Sequence, residues 1–141
     1  MKTIIAGSRE ITDLSIIERA VKESQFEITS VTSGGCRGVD RVGEQWASKN
    51  KIPVEVITAN WDTFGKAAGY IRNEEMAQRS EALIAIWKID KDGNGSKGTR
   101  NMISIAKRHG LKVYVLEIRD EPEIKSQTEG LPLFNESETQ E

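Results

Sequence analysis

The sequence predicts an α/β fold: a Rossmann-like parallel sheet of about five strands in the order 3-2-1-4-5, with helices on both faces and an acidic C-terminal tail. Three observations predict it. Strand-length apolar runs alternate with helix-patterned runs up to residue 116. The strand runs are solidly apolar rather than alternating, as expected of strands covered on both faces. Glycine-bearing turns follow the strands. Right-handed crossovers are then the default. Ligands of such sheets bind outside the carboxyl ends of the strands at the switch point, here between strands one and four.

Thr3–Ala6 is a short β-branched run that ends in the turn Gly7-Ser8-Arg9. Thr12 or Asp13 can cap the first helix, where Leu14, Ile17, Ala20 and Val21 share a face. The second strand, Ile28–Thr32, enters Ser33-Gly34-Gly35-Cys36-Arg37-Gly38-Val39-Asp40. A second helix, Val42–Lys49, turns Val42, Trp46 and Ala47 inward. Ile52–Ile57 is the third strand, with Pro53 tolerated at its start. A connection over residues 58–69 leads to a third helix, Tyr70–Gln78. Ala82–Trp87 is the fourth strand, and Lys88–Lys97 is a charged, exposed loop. Gly98-Thr99 opens a fourth helix with Met102, Ile103 and Ala106 inside, closing near Gly110. Leu111–Leu116 is the fifth strand.

The length of 141 residues suits one domain, assigned to residues 1–119 and followed by a tail over 120–141. No apolar run is long enough for a membrane span, and the N-terminal run is too short for a signal peptide. A cytoplasmic setting is expected, and the single cysteine fits a reducing compartment. One Cys and one His make a Cys/His zinc site implausible, so no metal and no cofactor are expected. The tail carries seven acidic residues against one lysine, so −6 of the overall −2 lies there and the first 119 residues carry +4. A mildly positive body suits small anions, whereas duplex nucleic acid calls for a strongly basic face. The acidic, polar tail is expected to be disordered.

Four segments fall at one end of the expected sheet, each after a strand: Gly7-Ser8-Arg9, Ser33–Asp40, Trp61–Arg72, and Ser96-Lys97-Gly98-Thr99. In the second of these, three glycines allow positive φ and close approach, and Arg37 adds a charged fork. The helix that follows offers unpaired amides to an anion. Gly98-Thr99 could hold a second phosphate, or Thr99 could simply cap its helix. Arg72-Asn73 faces the crevice near the start of the third helix. Trp61 either stacks on a base or covers the core edge, while Trp46 and Trp87 read as core. The ligand-binding candidates are Gly7, Ser8, Arg9, Ser33, Gly34, Gly35, Arg37, Gly38, Asp40, Trp61, Arg72, Asn73, Ser96, Gly98 and Thr99.

No nucleophile–base pair is evident. Asp40, Glu44, Glu74 and Glu75 are the carboxylates expected near the crevice, with Asp40 equally readable as a charge matching a helix dipole. Cys36 reads as a small buried residue or as a thiol of lowered pKa. His109 reads as a cation at a helix C-terminus, away from the site.

These motifs, together with Ala59-Asn60-Trp61 and Gly65-Lys66-Ala67-Ala68-Gly69-Tyr70-Ile71-Arg72-Asn73, resemble the SLOG superfamily, and within it the YspA-like, cpYpsA-related branch of phages and bacteria. The resemblance covers about residues 1–116. It implies a Rossmann-like fold, binding of nucleotides or nucleotide-derived ligands, and self-association. Two cousins bracket the activity. The LOG phosphoribohydrolases cleave the N-glycosidic bond of nucleoside monophosphates. Arg72 and Ser96–Thr99 match their motifs, but Met102 stands where they carry a catalytic glutamate. Hydrolysis would then need Glu74 or Asp40, so the catalytic candidates are Arg72, Glu74 and Asp40. DprA has a similar glycine loop and handles single-stranded DNA. In the tail, Gly130-Leu131-Pro132-Leu133-Phe134 is similar to the sliding-clamp-binding pentapeptide, with Gly130 in place of its glutamine. Leu131, Leu133 and Phe134 would make that contact. The resulting expectation is a binder of a nucleotide-like signal, with an N-glycosidase or a clamp-recruited DNA-metabolism accessory as alternatives.

Overall fold

A computed structural model describes residues 1–119 of the chain. The tail and its Leu131-Pro132-Leu133-Phe134 cluster lie outside the described residues. The elements run β1 (Lys2–Gly7), α1 (Leu14–Ser24), β2 (Ser30–Ser33), α2 (Val39–Lys49), β3 (Val54–Val56), α3 (Trp61–Phe64), a 3₁₀ turn (Gly65–Ala67), α4 (Ala68–Gln78), β4 (Ala82–Ile89), α5 (Lys97–Arg108) and β5 (Lys112–Arg119). The strands form one parallel sheet in the order β3-β2-β1-β4-β5, as the apolar runs predict.

Alternate residues of each central strand feed opposite cores. On one face Ile5, Ile84 and Ile86 pack with Ile17 and Ala20 of α1 and Val39, Val42 and Trp46 of α2. On the other, Ile4, Leu83 and Ala85 pack with Met76 of α4 and with Met102, Ile103 and Ala106 of α5. Ile4, Ile5, Leu83, Ile84 and Ile86 are fully buried, each worth about 1.5–3 kcal/mol of transfer free energy. Because both faces are covered, these strands show no polar alternation.

Several boundaries move. The third strand shrinks from Ile52–Ile57 to Val54–Val56, and all three residues are exposed. It is an edge strand with β2 as its one partner. β4 extends to Ile89 because β5 pairs with it as far as Arg119. The connection after β3 is not irregular throughout: Asn60 Oδ1 accepts from Thr63 N at 3.0 Å and caps the single turn of α3. Asp13, not Thr12, caps α1. Thr99 is not a cap: Ser96 caps α5 by accepting from Thr99 N at 3.3 Å, which leaves Thr99 buried in the first turn. Trp46 is core as expected. Trp87 is half-buried under the Arg100 guanidinium, 5.4 Å from the ring centroid. Among the described residues, no helix is long and apolar enough to cross a membrane.

Candidate functional site

A crevice of about 270 Å³ opens at the carboxyl end of β1, where the strand order turns between β2 and β4. Ala6, Gly7 and Arg9 line it from β1 and the turn beyond. Cys36 and Asp40 enter from the glycine loop and α2. Trp61 and Lys66 come from α3 and the 3₁₀ turn. Gly69, Tyr70, Arg72, Asn73 and Met76 come from α4, and Ser96, Gly98, Thr99 and Met102 from the start of α5.

The glycine loop is built differently from an open phosphate cradle. Gly35 N donates to Ser33 Oγ at 3.1 Å, and Cys36 N donates to Asp40 Oδ2 at 3.2 Å. Val39 N, the first amide of α2, donates to the Ser8 carbonyl at 3.1 Å. Three amides that a ligand would need are thus used within the protein. Gly38 holds φ at 81°, and a Cβ there would meet Ser8 O at 2.4 Å, so the Gly7-Ser8-Arg9 turn closes over the N-terminus of α2. Ser8 is buried, and its Oγ accepts from Lys88 N at 2.9 Å. Ser33 is fully buried and donates to Glu44 at 2.6 Å. Ser8, Ser33, Gly34, Gly35, Arg37 and Gly38 therefore do not line the crevice. Gly7, Arg9, Asp40, Trp61, Arg72, Asn73, Ser96, Gly98 and Thr99 do.

Asp40 is 5% exposed at the first turn of α2. Burial pushes its carboxyl up to about 6, against the Cys36 amide, the Arg72 guanidinium and the Gly7 amide, which pull it down; nearby Glu44 adds to the rise. A group with this pKa exchanges a proton close to neutral pH. Among the described residues Asp40 is the one carboxylate lining the crevice. Glu74, the other carboxylate proposed for chemistry, is excluded by geometry. It points away from the crevice to His109 and to Arg108 at 2.8 Å; the His109 hydrogen bond first, and Arg108 after it, hold its carboxyl below the usual range. Glu75 instead pairs with Arg79 at 3.0 Å. The cause is helix phase: α4 turns Arg72 and Asn73 inward, so Glu74 and Glu75 fall on other faces.

Asn73 joins α4 to α5. It is 4% exposed, and its Nδ2 donates to Asn101 Oδ1 at 2.9 Å and to Gly98 O at 3.5 Å. Its Oδ1 accepts from Arg72 Nε at 3.1 Å. At the start of α5, Ser96 takes the Thr99 amide, while Gly98 N in the first turn has no intrahelical acceptor. This helix end lines the crevice, whereas the first amide of α2, Val39 N, is already taken by Ser8 O. Arg9 and Lys66 bring cationic side chains to the same space. Met102 lies at its floor, 1% exposed. Among the described residues, no group of three or more His, Cys, Asp or Glu side chains could hold a metal.

Residues 1–64 match the model of a family described as YspA, cpYpsA-related SLOG. The matched stretch holds both glycine turns and reaches Trp61, and it ends before Arg72 and the α5 segment. The chain is also similar to a Gene 61 protein of Mycobacterium phage D29, 27% identical over 121 residues that span 79% of this chain and 93% of that relative. Sequence reasoning brought the segments of Cys36, Lys66, Gly69 and Tyr70 to this end of the sheet without singling these residues out, and it did not place Ala6, Met76 or Met102 in the lining. Tyr70 carried a usable signal: it stands three before Asn73, one turn away on the same helical face.

Proposed function

We propose that the crevice binds a nucleotide or a nucleotide-derived, ADP-ribose-like ligand. The observation that carries this reading is the junction of opposite chemistries in one small space. The α5 N-terminus with Arg9 and Lys66 suits a phosphate, and the buried Asp40 carboxylate suits ribose hydroxyls. The SLOG match over residues 1–64 supports the same class of ligand. Binding without turnover would make the protein a sensor or sequestering agent for a nucleotide signal, and its similarity to a phage protein favours that setting. Calorimetry and thermal shift against nucleoside monophosphates, NAD, ADP-ribose and cyclic nucleotides test it. Saturation by at least one of them is expected, and silence across the panel would reject the reading.

A second reading is cleavage of an N-glycosidic bond, favoured by Asp40. A crevice-lining carboxyl held near pH 6 can give or take the proton such a reaction moves. With Met102 in the position of the LOG glutamate, Asp40 would carry that role alone. Chromatography for released base at high protein concentration decides it. Release that disappears in Asp40→Asn is expected if the reading holds; no release from the unaltered protein would end it.

A further inference from the structure

Two of the large apolar side chains left exposed by the fold share the crevice rim. Trp61 is 56% exposed and Tyr70 is 49% exposed, and both line the crevice. Neither ring is a stray surface residue. Trp61 is presented by the capped turn of α3, and its ring edge lies 3.6 Å from where a Gly69 Cβ would stand, so it rests against the first turn of α4. Tyr70 is the next residue on that helix. It precedes Asn73 by three positions, so it lies about one turn, roughly 5 Å, from the contact of Asn73 with Gly98. Asn73 is buried and Tyr70 is half exposed, so that turn leads outward to the mouth. The crevice therefore has an anion-ready floor at α5 and an aromatic rim one helical turn above it.

We infer that Trp61 and Tyr70 form a stacking platform for the base of the ligand, making the site selective for compounds with an aromatic base over bare sugar phosphates. Aromatic faces take any base, because every base has a π-face. The platform fixes the orientation, with base outward and phosphate inward. It also explains why large aromatic surface stays wet here rather than packing into the core. This inference rests on the nucleotide reading of the crevice.

The test titrates the full chain with ribose 5-phosphate and with the four nucleoside 5′-monophosphates by calorimetry. At least one nucleotide is expected to bind about tenfold or more tightly than ribose 5-phosphate. Trp61→Ala and Tyr70→Ala should each erase most of that gap, weakening nucleotide binding far more than ribose 5-phosphate binding, while Trp61→Phe should keep it. Nucleotide binding should also quench tryptophan emission in the unaltered protein and not in Trp61→Phe. Equal affinity for ribose 5-phosphate and every nucleotide would overturn the inference while sparing the phosphate site. A base preference untouched by both alanine substitutions would overturn it as well. If neither class binds, the comparison is repeated with ADP-ribose and NAD against ribose 5-phosphate, and silence there too makes the nucleotide reading fall first and the platform with it.

Discussion

The Arg72 guanidinium donates through Nη1 to the carbonyl of Gly34 at 2.8 Å, across 38 positions of sequence. The absence of a side chain at Gly34 leaves room for both partners. A Cβ there would meet Arg72 Nη1 at 2.7 Å and Asp40 Oδ2 at 2.8 Å. The glycine loop thus serves as a seat for an arginine–carboxylate pair at the inner end of the crevice. Arg72→Ala is expected to cost about 1–3 kcal/mol in urea unfolding, since it leaves a carbonyl and a buried carboxylate without their donor or counter-charge. Gly34→Ala should lower ligand affinity by displacing the guanidinium from its seat. Arg72→Lys should recover the charge and not the hydrogen-bond geometry.

Asp40 makes stability fall as pH rises. Its carboxyl titrates near 6 in the folded protein against an ordinary 3.8, so the folded state holds the extra proton between those values. Stability contributed by that proton is present below pH 3.8 and is lost by about pH 6, amounting to about 3 kcal/mol. Asp13, Glu23 and Glu74 act in the opposite direction, because partners hold their carboxyls low and acid removes that gain. The comparison with Asp40→Asn isolates the effect. Between pH 4 and 6.5 the variant should gain stability relative to the unaltered protein, measured by urea midpoints. Parallel pH profiles would contradict the assignment.

Glu74→Gln should leave ligand binding, and any base release, unchanged within about twofold. Its carboxylate serves Arg108 and His109 on the outer side of α4. Exposed pairs of this kind are screened by solvent and contribute little. Calorimetry on Glu74→Gln beside Asp40→Asn separates the two carboxylates, and a loss in the former would return Glu74 to the site.

Gly38→Ala should be among the most damaging small substitutions. The residue sits at φ 81° with its missing Cβ aimed at Ser8 O. Strain and collision together should exceed about 2 kcal/mol, read as a drop in thermal midpoint. Ser96→Ala offers a milder contrast. Loss of the α5 cap should cost about 1 kcal/mol and loosen the helix end that faces the crevice.

Much of this was legible in the residues. Continuous apolar strands give the parallel sheet, and a parallel sheet gathers the turns after its strands at one end, so Gly7, Arg9, Asp40, Arg72 and Ser96–Thr99 meet there. The third strand misled because its apolar run lies at the sheet edge, where pattern alone does not report how many neighbours a strand has. The chain by itself determined the fold and the end of the sheet where the crevice lies, through local periodicity and turn chemistry. Only the tertiary structure decided which polar groups remain for that ligand. Ser8 reaches across to take the Val39 amide, and Arg108 and His109 take Glu74. A hydrogen-bonding group already satisfied by a distant partner is no longer available to a ligand, and no local pattern records that partner.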